Sequence, residues 1–224
     1  MLELLAPAGN LDAVIAAVQN GADAVYMGFG DGFNARRSAD NFTRESFAKA
    51  VRYCHIRGCK VYVTLNTLVG DREMDAAAAL AQQASDAGAD AILVQDLGLA
   101  RVLRAALPDI PLHASTQMSI HNLAGVEAAA EMGITRAVLA RELSLEQIRF
   151  ISQHASIETE VFVHGALCFC HSGQCYMSAL IGRRSGNRGA CAQPCRMQYS
   201  MGGRMDEYPL SLRCLLYTSP SPRD

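Results

Sequence analysis

The strongest constraint on the fold is a regular alternation along the chain of short apolar runs and longer helical patterns. Each apolar run ends in polar residues, and a helix-type pattern follows. Asp23-Ala24-Val25 and Asp90-Ala91-Ile92 come just after glycines, Gly21 and Gly88, that are typical of helix ends. Strands that alternate with helices of this length predict a parallel sheet. Eight such units predict a closed α/β barrel of the TIM type.

The units have definite expected bounds. Strands are expected at Leu2–Leu5, Ala24–Met27, Lys60–Leu65, Ala91–Val94, Leu112–Ala114, Ala137–Ala140, Glu160–Val163 and Tyr208–Ser211. Helices are expected at Leu11–Gln19, Arg44–Arg57, Glu73–Ala87, Leu99–Ala106, Leu123–Met132 and Leu145–Gln153. No G-x-G-x-x-G motif follows the first strand, which disfavours an open dinucleotide-binding sheet. Residues 1–213 are therefore expected to form one barrel domain, with a loop rich in Cys, Gly and Arg after strand seven.

The catalytic face of such a barrel lies at the carboxyl ends of its strands. The polar residues expected there are Tyr26, Asn66, Gln95, Asp96, His113, Ser115, Gln117, Arg141, Glu142 and His164. About half of them are expected to line a pocket, because ligand sites cluster on that face. Three alternatives remain open. Asp96 or Ser144 could only cap a helix, Arg141 and Glu142 could only pair with each other, and His113 could be a core histidine whose hydrogen bonds are satisfied.

A loop that is unusually long for its position follows the second strand and contains Arg36 and Arg37. Paired hydrogen bonds from these guanidinium groups could hold a carboxylate or a phosphate. The chain as a whole carries a formal charge of only −2, so any contact with nucleic acid must be local. No apolar run reaches the roughly 18 residues that a membrane span needs, which argues against a membrane protein.

Residues 160–204, called the cysteine segment below, have an unusual composition. Five of the eight cysteines lie there, with Cys168 and Cys175 seven apart and Cys191 and Cys195 in a C-x3-C pair. No acid occurs between Glu160 and Asp206, whereas five arginines do. The apolar stretch from Val161 to Ser172 is expected to be buried. Thiolates among arginines indicate a metal or iron–sulfur centre beside an anion-binding surface.

The cysteines are also compatible with roles that involve no iron–sulfur centre. Free cysteine is commonly a small buried hydrophobe. No secretory signal is evident in the opening MLELLAPAG, so a reducing cytoplasm is expected and disulfides are disfavoured. Structural zinc usually takes two tight cysteine pairs, and only one near-pair is present, so iron–sulfur ranks above zinc. Cys54, Cys59 and Cys170 are expected to be non-ligands, since Cys54 falls within a helix pattern and Cys59 just precedes a strand.

The sequence resembles the collagenase-like peptidase family U32. The family signature E-x-F-x-x-G-[SA]-[LIVM]-C-x4-G-x-C-x-[LIVM]-S is matched at every fixed position from Glu160 to Ser178. The openings LLAPAGN and NGADAVYMG are also similar to the family's, and the resemblance covers residues 1–213. Characterised members look like RNA-hydroxylating or ubiquinone-hydroxylating proteins with a four-cysteine [4Fe–4S] cluster, whereas the older family name implies proteolysis.

The resemblance implies a set of roles for residues of this chain. Cys168, Cys175 and Cys191 would hold the cluster, with Cys195 as a further candidate and sulfurs about 6–7 Å apart. Arg183, Arg184 and Arg188 are expected to be largely exposed on the same side as the cysteines, either in contact with RNA or only as part of a solvated loop, and a small-molecule oxygen donor would supply the oxygen. The pocket candidates are Tyr26, Asn66, Gln117, Arg141, Glu142 and His164. A peptidase and a non-catalytic cluster-bearing scaffold remain as alternatives, although G-x-S-x-G and H-E-x-x-H are both missing from the sequence.

The last eleven residues, Cys214 to Asp224, differ from this pattern. Their back-translation reads as a transposon-type sequencing adapter, so they are expected to be foreign, as an engineered scar would be. A genuine Ser/Pro-rich tail is the alternative. Family members continue after a YPLSLR-like stretch into a segment with the fourth cluster cysteine, so that ligand is expected to be missing here and Cys214 is not counted as one.

Overall fold

A parallel sheet in chain order forms the centre of the molecule. The computed structural model describes residues 2–30, 32–35, 41–165, 168, 170–201 and 204–208. Within them, seven neighbouring strands pair in parallel, each with the next along the chain. They are β1 (Leu5–Pro7), β2 (Ala24–Met27), β3 (Lys60–Leu65), β4 (Ala91–Val94), β5 (Leu112–Ala114), β6 (Arg136–Val138) and β7 (Glu158–Glu160). This strand order is that of a TIM-type α/β barrel, with seven of its strands in the described part of the chain.

Helices connect the successive strands. They are α1 (Leu11–Gln19), α2 (Arg44–His55), α3 (Met74–Asp86), α4 (Leu97–Ala106), α5 (Leu123–Glu131) and α6 (Leu145–His154). Side-chain oxygens that accept backbone N–H groups fix where several of them begin; these N-caps are Asn10, Thr43, Asp96, Asn122 and Ser144. Each cap satisfies one of the N–H groups that a helix start leaves unpaired. None of the helices in the described part of the chain is long and apolar enough to cross a membrane.

The apolar core lies mainly between the sheet and the helices. Alternate residues of each strand point outward to the helices, where Val61 and Ile92 are fully buried beneath helical side chains such as Phe47. Complete burial of one large apolar side chain contributes roughly 1.5–3 kcal/mol. The other residues point into the barrel, where Ala24, Tyr62, Ala91, Leu93 and Val138 form a smaller cluster. Burial on both faces explains why these strands read as continuous apolar runs.

An ion-pair network fills the amino-terminal end of the barrel. Arg136 begins β6 and donates hydrogen bonds to Glu3 at 2.5 Å and to Glu158 at 2.6 and 2.8 Å. Its guanidinium also lies 3.6 Å from Glu160. Burial alone would raise the pKa of Glu3, but hydrogen bonds from Arg136, Tyr62 and Lys60 outweigh it and lower that pKa to about 2. For Glu160 the effect of burial prevails over the opposing charge of Arg136, and its pKa is raised.

The predicted bounds hold for four of the seven described strands of the parallel sheet and shift for the other three. β2, β3, β4 and β5 match their expected residues, whereas β1 begins later, β6 ends earlier, and β7 ends where it was expected to begin. The stretch from Val161 to Ser172 was expected to be buried, which is wrong for its start: Val161, Phe162 and Val163 are 38%, 50% and 86% exposed. The strand instead uses Glu158 and Glu160, whose carboxylates meet Arg136.

The cysteine segment has regular structure of its own after β7. It contains α7 (Met177–Gly182), short 3₁₀ turns at Gly186–Arg188 and Pro194–Arg196, and an antiparallel hairpin of β8 (Tyr199–Met201) and β9 (Arg204–Glu207). The expected eighth barrel strand began at Tyr208, which lies outside any strand. The rest of that expected strand, residues 209–211, and the tail, residues 214–224, lie outside the described residues.

Candidate functional site

Ser172 fixes the cysteine segment to the carboxyl-terminal end of the barrel. It is fully buried, and its backbone N–H donates to Glu142 Oε1 at 2.8 Å. Its hydroxyl lies 3.2 Å from Arg141 Nε and 3.3 Å from Glu142 Oε1. The hydroxyl of Ser119 donates to its carbonyl oxygen. Arg141 and Glu142, for which a mutual ion pair was one alternative, therefore both hold Ser172.

Gly173 brings the same turn into direct contact with the barrel. Its φ is +71°, a left-handed conformation that favours glycine. A Cβ at this position would overlap the carbonyl oxygen of Gln117 and lie 2.9 Å from its Cα. Gln117 belongs to a short 3₁₀ turn (Thr116–Met118) that follows β5. The backbone of the cysteine segment thus packs against the backbone at the barrel mouth with no room for a side chain.

A second anchor lies on another part of the mouth. Arg188 donates to both carboxylate oxygens of Glu73, at 2.7 and 2.8 Å. Glu73 immediately precedes α3, and its carboxylate also accepts the N–H of Gly70 at 2.9 Å. Hydrogen bonds from Arg188 and Gly70 lower the pKa of Glu73 to about 2. The expectation that Arg188 is largely exposed is wrong, because its side chain is only 37% exposed and pairs with Glu73 in two-point geometry, whereas its expected contact with RNA stays a prediction.

Four uncharged polar side chains form what we call the amide cluster at the mouth: Asn66, Gln95, Ser115 and Gln117. Asn66 donates to Ser115 Oγ at 3.3 Å, and Gln95 donates to the Gln117 carbonyl oxygen at 3.4 Å. The N–H of Gln117 lies 3.3 Å from Ser115 Oγ. These residues follow three neighbouring strands, β3, β4 and β5, as the barrel pattern predicts. The structure therefore brings together Asn66 and Gln117, two of the pocket candidates.

The thiols of the cysteine segment occupy one neighbourhood. Burial raises the pKa of Cys195, and Cys168, Cys191 and Cys175 are close enough to raise it further. Burial together with Cys175 and Cys168 also raises the pKa of Cys170. Cys170, expected to be a non-ligand, thus shares the same surroundings. By contrast, Cys54 and Cys59 are buried in the core of the barrel, at the helix and strand-edge positions expected of them.

The polypeptide between the cysteines explains this proximity. Gly186 lies close to Cys191: a Cβ on it would be 3.6 Å from Cys191 Cβ and 4.0 Å from the Cys175 carbonyl oxygen. The buried hydroxyl of Ser178 accepts the N–H of Ala192 at 2.9 Å. Ser178, the last signature residue, therefore holds the C-x3-C pair next to α7.

No three His, Cys, Asp or Glu side chains in the described parts of the chain are arranged to hold a single metal ion. The thiols nevertheless interact electrostatically with one another, as described above. A [4Fe–4S] cluster binds thiolates that are spread around a cubane, about 6–7 Å apart, rather than gathered at one point. Thiolates are the donors that such a cluster takes, so the residues of this neighbourhood are of the right chemical type to hold one.

Other sequence-predicted site residues have different positions. Tyr26 packs inside the barrel against the interior cluster, and His164 is exposed just after β7. Asp96 caps α4 by accepting the N–H of Leu99 at 2.8 Å, and its other carboxylate oxygen also accepts the N–H of Val69 at 3.2 Å. Ser144 likewise caps α6. Arg36 and Arg37 lie outside the described residues. Arg183 and Arg184 are exposed at the end of α7.

Sequence reasoning missed the two residues that dock the cysteine segment. Ser172 lies in an unspecified position of the signature, and a serine in a loop carries no signal of burial. Glu73 precedes a helix, where an acidic residue normally indicates only a favourable interaction with the helix dipole. A surface groove of about 340 Å³ between α5 and α6, lined by residues such as His121 and Phe150, is separate from both anchors.

Comparison with known protein families shows which family this chain belongs to. Residues 9–217 match the family described as Peptidase family U32. The chain belongs to peptidase family U32. The U32 peptidase Mk0906 has the same fold, with a TM-score of 0.60 at 16% identity over 72% of this chain and 68% of that one. A phosphoenolpyruvate phosphomutase from Streptomyces platensis subsp. rosaceus gives a TM-score of 0.52 at 16% identity, over 72% of this chain and 68% of that one.

Several curated U32 relatives carry names that refer to RNA. A 23S rRNA 5-hydroxycytidine C2501 synthase of Escherichia coli is 44% identical over 89% of this chain and 30% of its own length. A tRNA hydroxylation protein P1 of Bacillus subtilis is 41% identical over 89% of this chain and 47% of its own length. A protein named collagenase, from Porphyromonas gingivalis, is 34% identical over 97% of this chain and 55% of its own length. The chain thus spans about half or less of the length of these relatives.

Proposed function

We propose that this U32 chain is the barrel part of an enzyme that hydroxylates a base of ribosomal or transfer RNA in the cytoplasm. The observation that carries the proposal is the 44% and 41% identity, over 89% of the chain, to proteins named for RNA hydroxylation. The docking of the cysteine segment on the barrel mouth supports it, because barrel enzymes bind substrates there. A base must be unpaired or flipped to enter such a site.

The reaction also needs an oxygen source. Insertion of an oxygen atom into a C–H bond of the base oxidises the base by two electrons and reduces the oxygen donor by two. A small-molecule oxygen donor would bind at the same mouth. Gly173 and Ser172 hold the cysteine segment against the barrel there, so that the reacting groups would be shielded from water.

We propose that Cys168, Cys175 and Cys191 hold a [4Fe–4S] cluster, with Cys195 as the further thiol of this chain. Their shared electrostatic neighbourhood supports this assignment. A bound cluster would supply or accept single electrons. The Arg188–Glu73 pair and the Ser172 contacts would keep the cysteine segment in place relative to the barrel. Exposed Arg183 and Arg184 would contact phosphates, which position RNA rather than specify its sequence.

A peptidase remains the second candidate, because relatives named collagenase and uncharacterized protease are both 34% identical to this chain. A Cys–His nucleophile would need a histidine within hydrogen-bond reach of the thiol. Among the described residues, no hydrogen bond joins Cys168 to His164 or His171, and His171 instead lies 3.9 Å from Glu142. A cysteine that binds a cluster is also not free to act as a nucleophile.

The test is to express the chain in a bacterial strain that lacks its own RNA hydroxylation proteins. Mass spectrometry of nucleosides from rRNA and tRNA should then show a hydroxylated pyrimidine. Iron and sulfide analysis after anaerobic purification should show loss of the cluster in Cys175→Ala and its retention in Cys54→Ala, a matched change in the core. Hydroxylated nucleosides missing despite full iron content would favour a scaffold, and gelatin cleavage by the iron-free protein that is lost in Cys168→Ala would favour a peptidase.

A further inference from the structure

Two carboxamide oxygens at the barrel mouth are buried without a hydrogen-bond partner. They are Oε1 of Gln95 and Oε1 of Gln117. Gln95 is only 6% exposed, so water has little access to it. Buried polar atoms in folded proteins are nearly always paired, because they lose their hydrogen bonds to water on burial. Two unpaired acceptors on residues in contact with each other therefore indicate a group that binds there.

The orientation of Gln95 is set by its surroundings. Its Nε2 faces the carbonyl oxygen of Gln117 at 3.4 Å, and only an N–H can bind that oxygen. The Oε1 atom is consequently the end that remains available. Gln95 thus offers an acceptor while one of its two amide hydrogens is committed to Gln117. A ligand that meets it must donate an N–H or an O–H.

The position of these acceptors connects them with the cysteine segment. The Ser172–Gly173 turn packs on the backbone of Gln117, with Gly173 in the contact that excludes a Cβ. Cys170 and Cys175 lie within three residues of this turn. A group held by the two carboxamides would therefore lie between the sheet and the segment that contains the thiols.

The amide cluster contains no charged side chain, so it is suited to a neutral group. Carboxamide side chains recognise the edges of nucleobases in proteins, where they exchange paired hydrogen bonds. Phosphates would instead be drawn to arginines such as Arg183 and Arg184, outside this cluster. The uncharged lining and the free acceptors together select a base edge that carries an N–H.

We propose that Gln95 and Gln117 are the base-reading residues of this enzyme: their carboxamide oxygens accept N–H groups from the Watson–Crick edge of a pyrimidine. The donor is the exocyclic amino group of cytosine or the ring N3–H of uracil. The identification of the ligand as a base rests on the proposed RNA function, whereas the requirement for a hydrogen-bond donor rests on the two oxygens alone. Gln95, with its fixed orientation, would act as the specificity-determining residue of the pair.

The experiment compares nucleotides that differ only at this edge. Saturation-transfer NMR of the wild-type protein should detect CMP and UMP. The same spectra should show about tenfold weaker binding of N4,N4-dimethyl-CMP and N3-methyl-UMP, since an acceptor left unpaired in a buried site costs about that factor. This arm uses the unaltered protein, so it does not depend on whether any variant folds.

Variants separate hydrogen bonding from the bulk of the added methyl groups. In Gln95→Leu, binding of CMP and UMP should fall to the level of their methylated forms. Gln117→Leu should weaken the unmethylated nucleotides in the same direction. Gln83→Leu, a matched change on the exposed face of α3, should keep the wild-type preference.

Equal binding of all four nucleotides to the wild type would overturn the proposal and indicate that ordered water satisfies the oxygens. A methylation preference retained in Gln95→Leu would also overturn it.

Nucleoside analysis of cellular RNA distinguishes failure of this inference from failure of the proposed function. Hydroxylated RNA together with no N–H preference would leave the RNA function in place and remove the role of Gln95. An N–H preference without hydroxylated RNA would keep the acceptor site and remove the assignment of the chain as a hydroxylase. Both results are read from the same protein preparation and expression strain.

Discussion

Individual buried polar residues of this U32 barrel fall into two groups according to whether the chain itself supplies their partners. Arg136 is held by Glu3, Glu158 and Glu160 at the amino-terminal end of the barrel, and Ser172 by Arg141 and Glu142 at the carboxyl-terminal end. His113 belongs to the other group, since its Nδ1 is buried without a partner. Satisfied groups hold the structure together, whereas unsatisfied ones make it sensitive to ligands and to pH.

His113 should make the stability of the protein depend on pH. Its ring packs edge-on against Tyr62, with centroids 4.9 Å apart. Burial lowers its pKa from 6.5 to about 3, and the positive charge of Arg136 acts in the same direction. The unfolded chain binds this proton below about pH 6.5, whereas the folded protein binds it only near pH 3. Stability that is present above pH 6.5 is therefore lost as the pH falls.

The measurement is the free energy of unfolding from urea titrations at about pH 7.5, 6 and 5. Between about pH 6.5 and 5, the loss due to His113 approaches about 1.4 kcal/mol per pH unit, the limit for one proton. Glu3, whose pKa is lowered from 4.5 to about 2, adds its own loss only below this range. His113→Asn should flatten the dependence, while His154→Asn on the exposed end of α6 should not. If the free energy of unfolding changes with pH equally in His113→Asn and in the wild type, the pH dependence does not come from His113.

The elements of the barrel were predictable to the extent that one physical signal dominated each of them. β3 and β4 are buried on both faces, so their apolar residues define the strand directly from the sequence. β7 consists of Glu158, Thr159 and Glu160, which resemble a solvated loop in sequence. Its stability as a strand depends on Arg136, a residue far away in the chain, and periodicity contains no information about such a partner.

The sequence predicted where residues of the candidate site lie, but not which distant residues they contact. The rule that polar residues gather at the carboxyl ends of parallel strands placed Asn66 and Gln117 at the mouth, where the structure has them. The composition of the cysteine segment placed Arg188 among exposed arginines, because its partner Glu73 lies 115 positions earlier in the chain. Pairings over such distances depend on how the cysteine segment folds back, which no local pattern specifies.

Packing of the Ser172–Gly173 turn gives a prediction at the level of elements. Gly173→Ala must either strain a residue at φ +71° or push the turn away from Gln117, at a cost of about 1–3 kcal/mol. The result expected is a cysteine segment that is cleaved more rapidly by protease while the barrel stays folded. Gly182→Ala, where a Cβ meets nothing within 4 Å, is the matched control and should be neutral. If protease cleaves the cysteine segment of Gly173→Ala at the wild-type rate, the turn does not hold the segment.

The whole molecule has a formal charge of −2, and its cysteine segment, which has no acid after Glu160, is basic and lies across the barrel mouth. The formal charge of −2 rules out general attraction to RNA as a source of affinity. The arginines of the cysteine segment have different surroundings. Arg188 forms an ion pair with Glu73, whereas Arg183 and Arg184 are exposed to solvent. The first contributes to the docking of the segment, and the other two are available to phosphates.

This division predicts different salt dependences of RNA binding. Each phosphate contact contributes about one unit to the slope of log K against log salt concentration, because binding releases condensed counterions. Arg183→Ser combined with Arg184→Ser should therefore reduce the slope by about two and weaken binding to RNAs of different sequence by similar factors. Arg188→Ser should leave the slope unchanged and instead increase the reactivity of the thiols toward alkylating reagents, since the segment loses an anchor.

Arg101→Ser changes an exposed arginine on α4 and controls for the loss of charge itself. Filter binding between about 50 and 200 mM salt measures each of these variants against the wild type. A slope for the Arg183/Arg184 double variant equal to that of Arg101→Ser would remove both arginines from the RNA interface, and a reduced slope for Arg188→Ser would mean that RNA displaces Glu73 from its partner.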